Sequence, residues 1–256
     1  MRRLIAGSAI LFLISTFSLA ANLNTPATVG EGKFEVGLDY QYIFDKDLKY
    51  KSGYELDPGE SVYGVEIDDL YRVLVRGSYG ITDNVDVYVL LGTADAEVKG
   101  AAFVGGVTWD YRMKTDNAFA YGGGLKFSYP VYENWILGLD AHYVRHKNDF
   151  SAHMDSAVAG YGISGDATFQ EWQVVGVVGY KIDKFLPYLG VGYTDMRLKL
   201  EEDWSDGDHT TSKYEADDNA GVICGVSYQP TENITLGLEG RFVDETAIGV
   251  FGAYRF

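Results

Sequence analysis

The sequence predicts an all-β protein: a transmembrane antiparallel up-and-down β-barrel of ten strands, with eight or twelve as the alternative counts. Three observations predict it. Apolar and polar side chains alternate with period two in ten separate stretches, aromatic rings collect at both ends of the apolar faces, and short connections alternate with long ones.

The first segment stands apart. MRRLIAGSAILFLISTFSLA has two arginines, an apolar run from Leu4 to Phe17, and Ser18-Leu19-Ala20. That order is expected of a secretory signal cleaved after Ala20. The apolar run falls short of the roughly 20 residues that span a bilayer. Residues 1–20 are therefore read as a signal peptide and residues 21–256 as one barrel domain. Loss of Arg2 and Arg3 leaves 19 basic against 37 acidic residues, a net charge of −18. Such a charge repels phosphates and argues against nucleic acid as a partner. The single Cys224 permits no internal disulfide, and no later apolar run is long enough for a membrane helix. Twenty Tyr, 13 Phe and 31 Gly beside only five Pro make a strand-rich, aromatic-rich composition.

The ten strands follow in order. In 33–44 the apolar face is Phe34, Val36, Leu38, Tyr40, Tyr42 and Phe44, opposite Glu35, Asp39 and Gln41. In 71–81, Tyr71, Val73, Val75, Tyr79 and Ile81 face away from Arg72, Arg76 and Ser78. Stretch 85–92 sets Val85, Val87, Val89 and Leu91 against Asp86, and 118–129 sets Phe119, Tyr121, Leu125, Phe127 and Tyr129 against Lys126. In 135–143, Trp135, Leu137, Leu139 and Tyr143 oppose Asp140 and His142. The stretch 171–182 is less regular, with Trp172, Val174, Val178 and Tyr180 apolar; 187–193 and 219–228 repeat the alternation. In 234–242, Ile234, Leu236, Leu238 and Phe242 oppose Glu239 and Arg241, and in 247–256, Ile248, Val250, Tyr254 and Phe256 oppose Arg255.

Two-faced strands suit either a soluble sandwich or a transmembrane barrel. The rings decide between them. Tyr79, Tyr129, Trp135, Tyr180, Tyr228 and Phe256 lie beside the short turns, and Tyr42, Phe44, Tyr71, Phe119, Tyr143 and Phe242 lie at the opposite ends. These are two girdles around an apolar band, which a sandwich has no reason to build. Short links at 82–84, 130–134, 183–185 and 230–233 alternate with expected long loops at 45–69, 95–117, 148–167 and 201–218. An even strand count puts both termini on one side.

The stretches YGITDNVDVYVLLG, QPTENITLGLEGRF and the terminal GAYRF resemble the small outer-membrane β-barrels of the OmpA-like and opacity-protein superfamily. The resemblance covers essentially all of residues 21–256 and implies a bacterial outer-membrane location, among membrane lipid and lipopolysaccharide. It also implies that Tyr254 and Phe256, closing the last strand, form the signal read by the barrel-assembly machinery. Phe251 stands where that signal favours glycine, with Gly252 one place late.

Turned inward, the polar faces would gather Glu35, Asp39, Asp86, Asp140 and Glu239 with Arg72, Arg76, Lys126, Arg241 and Arg255. Five acids against five bases suit a charge-paired lumen, either a plug or a narrow channel. The expected role is a structural or porin-like envelope protein; a surface adhesin and an omptin-type hydrolase are the alternatives. No enzymatic role, catalytic residue, cofactor or metal site is expected, because no Gly-x-Ser-x-Gly or His-Glu-x-x-His motif occurs. His146, His153 and His209 fall near or in the expected loops, and HMDS (153–156) collects hydrolytic residue types without specified geometry. The acidic stretch 201–218 lacks EF-hand spacing and reads as a solvated loop, with Ser212 a position tolerant of charge. Residues 103–113 alternate too, and are expected to extend a loop-side hairpin beyond the membrane rather than add strands.

Overall fold

The computed structural model describes residues 24–256 apart from 54–56, 157–159 and 206. The expected signal segment, residues 1–20, lies outside the described residues. The chain forms β1 (Phe34–Ser52), β2 (Ser61–Thr82), β3 (Val85–Val104), β4 (Val107–Thr115), β5 (Ala118–Tyr132) and β6 (Trp135–Asp155). These are followed by β7 (Gly160–Tyr180), β8 (Phe185–Trp204), β9 (His209–Ala216), β10 (Ala220–Tyr228), β11 (Ile234–Phe242) and β12 (Thr246–Arg255). Ten strands close a ring in the order β1–β2–β3–β5–β6–β7–β8–β10–β11–β12, with β12 antiparallel to β1. The expected count of ten holds for this ring. Twelve segments arise because β4 and β5, like β9 and β10, run on from one another across breaks at 116–117 and 217–219.

The ring has a second tier. β11 and β12 are short, and beyond their turn β9 pairs directly with β1, joining Leu48 to Ala216 and Tyr50 to Tyr214. β4 meanwhile pairs with β3 and β6. Eight strands therefore close the wall above the ten-stranded tier. The four stretches expected as long loops are largely this tier, strand rather than loop. Residues 103–113 do extend a hairpin, the one between β3 and β4, which turns at Gly105 and Gly106 with φ of 60° and 78°. Glycine is required there because other residues rarely adopt left-handed backbone. Ser212, expected in a tolerant loop, is a buried inward residue of β9.

Why the wall is built in two tiers is visible along β8. Its outward side chains run Phe185, Leu189, Val191, Tyr193, then Asp195, Arg197, Lys199, Glu201 and Asp203. Its inward ones run Leu186, Tyr188, Thr194, then Met196, Leu198 and Leu200. In the ten-stranded tier the apolar face points out, with Leu189 and Val191 61% and 67% exposed. In the eight-stranded tier it points in. Ile67, Leu70, Met113, Phe150, Phe169, Met196, Leu198 and Leu200 belong to one buried cluster, as expected where eight strands leave room only for side chains. Outside that cluster stand ion pairs such as Lys99 with Glu66 and Asp68 (2.7 and 2.6 Å), Lys147 with Asp166 (2.9 Å) and Lys199 with Glu201 (2.6 Å).

The exposed apolar band has a fixed height. Phe34 and Tyr42, Tyr71 and Tyr79, Trp135 and Tyr143, Trp172 and Tyr180, and Phe185 and Tyr193 are each eight residues apart. Eight residues rise about 26 Å along a strand, or about 20 Å along the axis at a ~40° tilt, close to the ~25 Å apolar band of membrane barrels. Rings pair across neighbouring strands at both levels: Phe34–Tyr79 (4.7 Å), Trp135–Tyr180 (4.9 Å) and Phe185–Tyr228 (4.7 Å) by the short turns, Tyr42–Tyr71 (4.3 Å) and Tyr143–Trp172 (4.8 Å) at the far edge.

Val89 and Leu236 are exposed within this band. Replacing either by Arg should cost about 2–4 kcal/mol of stability. Ser164→Arg, on the outer face of the eight-stranded tier, should stay within about 0.5 kcal/mol. Refolding titrations into lipid vesicles measure both, and equal losses would contradict the two-tier assignment.

Candidate functional site: the charged lumen

All ten side chains expected in the lumen point inward. Glu35, Asp39, Arg72, Arg76, Asp86, Lys126, Asp140, Glu239 and Arg241 are buried, and Arg255 is nearly so. Strand alternation puts them there, and the pairing register decides which of them meet. Lys126 on β5 stands in register between Asp86 on β3 and Asp140 on β6. Arg255 reaches Glu35 across the β12–β1 seam at 3.5 Å, where the two are register partners. Cross-strand neighbours of opposite charge are favourable, and in a confined ring the pairing is what makes the charges tolerable.

One network occupies the middle of the ring. Arg76 contacts Asp39 through two nitrogens, at 3.0 and 3.1 Å, and its guanidinium lies 4.1 Å above the Tyr88 ring. Tyr88 donates its hydroxyl to Asp140 at 2.7 Å, and His142 Nδ1 meets the same carboxylate oxygen at 2.8 Å. Arg72 does not turn to Glu35, Asp39 or Asp86. It crosses the lumen to Glu171 on β7 at 2.9 Å. Glu171 is absent from the charges expected inside, although its inward position follows from the outward Trp172 next to it.

A third group marks the junction of the tiers. The β11–β12 turn carries Asp244 and Glu245 inward, where Lys46 lies 3.5 Å from each and donates to the Asp244 carbonyl at 3.4 Å. Arg241 reaches Glu245 at 2.8 Å. Lys46 faces inward because β1 shifts register between Ile43 and Asp45, leaving Phe44 and Asp45 both exposed. Such a bulge changes which side chains face the interior. His146, expected near a loop, is instead buried, stacked on Phe169 at 4.6 Å with Nδ1 2.6 Å from Asn148. His153 and His209 are exposed, each beside one aspartate, Asp155 and Asp203.

The segment before β1 fills the short-turn end. Asn24 donates through its backbone N–H and its amide to the two Glu239 oxygens, at 3.1 and 2.9 Å. The Val29 N–H donates to Asp86 at 2.9 Å. Pro26 packs against Gly138 and Gly179, where a Cβ would come within 2.6 and 2.7 Å of it. Phe251, which departs from the terminal pattern, points inward over Gly237, whose missing Cβ would lie 2.1 Å from the ring. Polar plug, paired charges and the apolar cluster of the upper tier thus succeed one another along the axis.

Because Arg72 and Glu171 are both fully buried, removing one partner leaves a confined charge. Arg72→Ala should cost about 3–5 kcal/mol, and the double variant Arg72→Met/Glu171→Met markedly less. Denaturant unfolding in micelles reads both; equal costs would show that the pair is not coupled.

Solved structures similar to this one are outer-membrane barrels. The outer membrane protease OmpT from Escherichia coli aligns over 87% of this chain and 97% of its own, with a TM-score of 0.54 and 13% identity. The translocator domain of the autotransporter NalP from Neisseria meningitidis covers 89% of each chain (TM-score 0.45, 13% identity). OprG from Pseudomonas aeruginosa covers 89% of this chain and 98% of its own (TM-score 0.37, 12% identity). No family model matches the sequence, and no curated protein is similar to it. Similarity at this identity speaks for architecture and not for activity. With an apolar band outside, paired charges within and a ten-stranded antiparallel ring, the chain has the fold of an outer-membrane β-barrel.

Proposed function

We propose that the protein is an integral barrel of the bacterial outer membrane that serves the envelope structurally, with a closed lumen rather than an open porin channel. The observation that carries this reading is the inversion of polarity at the level of Tyr42, Tyr143 and Tyr193. Below it the exposed surface is apolar, and above it the exposed surface is charged. In this reading lipid surrounds the ten-stranded tier and lipopolysaccharide the outer girdle, while the eight-stranded tier projects from the cell. Closure is supported by the buried charge pairs, by Asn24 to Val29 at one end and by the apolar cluster at the other.

The likeness to OmpA-like and opacity proteins belongs to this proposal, as does recognition of Tyr254 and Phe256 by the assembly machinery. Phe256 is exposed beside Tyr254 (ring centroids 4.9 Å apart), and its N–H donates to the Phe34 carbonyl at 2.8 Å. No enzymatic step is assigned. His142 and His146 are interior, and His153 and His209 each stand with a single acid on the outer surface.

Planar-bilayer recording of the refolded chain tests closure. The wild type should be silent, and Arg72→Ala/Arg76→Ala, which strips Glu171 and Asp39 of their partners, should be less stable and should conduct. Discrete openings of the wild type would establish the porin reading instead. In cells, deleting Phe256 should lower the yield of heat-modifiable, membrane-inserted barrel more than deleting Ser205 at the β8–β9 turn. Equal yields would remove the assembly role of the last residue.

A further inference from the structure

The packed interior of the eight-stranded tier stops short of its top. Between the tips of the β1–β2, β3–β4 and β8–β9 hairpins lies a cavity of about 520 Å³. Its origin is in the sequence: the inward positions of β3 shrink to Gly100, over which Val65 packs closely, and then Ala102, whose methyl group is too small to fill the ring. Val62, Trp109, Met154, Ile163 and Trp204 make most of the remaining lining apolar and aromatic. The size lies within the ~300–1,000 Å³ of small-molecule sites.

One side chain in this lining is out of keeping with it. Glu202 is 5% exposed, points inward from β8 between Leu200 and Trp204, and among the described residues accepts one hydrogen bond, from the Ser212 hydroxyl at 2.8 Å. Among the described residues no lysine, arginine or histidine forms an ion pair with it, whereas the buried acids Asp39, Glu171 and Glu245 of the lower ring each have one. A buried carboxylate without a cation is costly, and a cation entering the cavity would relieve that cost. Aromatic faces favour the same charge. So does the rim, where Glu60 and Asp208 add negative potential to an already acidic chain.

We propose that this cavity binds a small organic ammonium ion with an apolar body, the cationic group pairing with Glu202 and the body packing between Trp109 and Trp204. The site lies beyond the apolar cluster, apart from the charged lumen.

Protonation supplies a signature. Burial pushes the Glu202 carboxyl up to about 7, against the opposing hydrogen bond from Ser212. Among the described residues, the other titratable groups around the cavity are Glu60, Tyr111, Asp208 and Tyr214. An ammonium ion binds the ionised carboxylate, so affinity is full above the Glu202 pKa and declines as pH falls through it.

The test uses the full chain refolded in nanodiscs of zwitterionic lipid, with benzyltrimethylammonium as probe, benzenesulfonate as the charge-reversed control, and tryptophan fluorescence as readout. Saturable binding of the cation and none of the anion is expected. Glu202→Gln should weaken cation binding at least tenfold, and the wild type should bind about thirtyfold more weakly at about pH 5.5 than at about pH 8.5, a dependence that Glu202→Gln abolishes. Ala102→Phe, which puts a ring into the cavity and keeps the Glu202 side chain, should also abolish binding while the barrel stays folded by its heat-modifiable migration. Absence of saturation, equal affinity in Glu202→Gln, or unchanged binding in Ala102→Phe would each overturn the proposal.

Discussion

A β-strand offers its two faces in strict alternation, and this barrel runs that alternation through two different surroundings. The demand reverses at the outer ring of aromatics. Below Tyr193 the outward side chains of β8 are apolar and the interior is polar; from Asp195 onward the outside is charged and the inside is Met196, Leu198 and Leu200. Everything else in the molecule accommodates that reversal. The lower interior needs charge pairs because its wall has spent its apolar face on the outside. The upper interior can be a dry core because water covers its charged exterior, as in a soluble barrel.

The change of strand number follows the same boundary. Phe242 ends β11 at the outer girdle, the turn folds Asp244 and Glu245 inward, and β9 then meets β1 directly. Val243 takes a φ of 88° there, an unfavourable value for a β-branched residue, and the contacts of Lys46 and Arg241 with Asp244 and Glu245 hold the turn in place. A narrower ring is easier to fill with side chains than a ring of ten. Where the filling runs out, at Ala102, the cavity around Glu202 remains.

Much of this was legible without coordinates. Period two located all ten membrane strands, and the rings at both ends of the apolar faces located both edges of the band. The ten lumen charges could be assigned to the interior because face is a property of each strand alone. The upper tier was not legible by the same rule. Its stretches keep the alternation, but their apolar side chains point inward, so a reading that follows the apolar face toward lipid loses each strand at the girdle. Bulges at Ile43/Asp45 on β1 and Ile67/Asp69 on β2 shift the phase as well. The buried Ser212 and Glu202 were read as loop residues for this reason.

By itself, then, the sequence determined which face of each of the ten lower strands lies inside, where the apolar band starts and stops, and that the strands turn tightly at one end. Only the tertiary structure decided which groups meet. Arg72 finds Glu171, 99 positions away on the far wall, rather than the acids of the adjacent strands, and Asn24 finds Glu239. It also decided that β9 closes onto β1 and that a void opens beneath the hairpin tips. The physical reason is geometric. Alternation assigns a residue to a face, but its partner across a closed ring depends on tilt, stagger and strand number together, and those are set by the whole sheet when it closes.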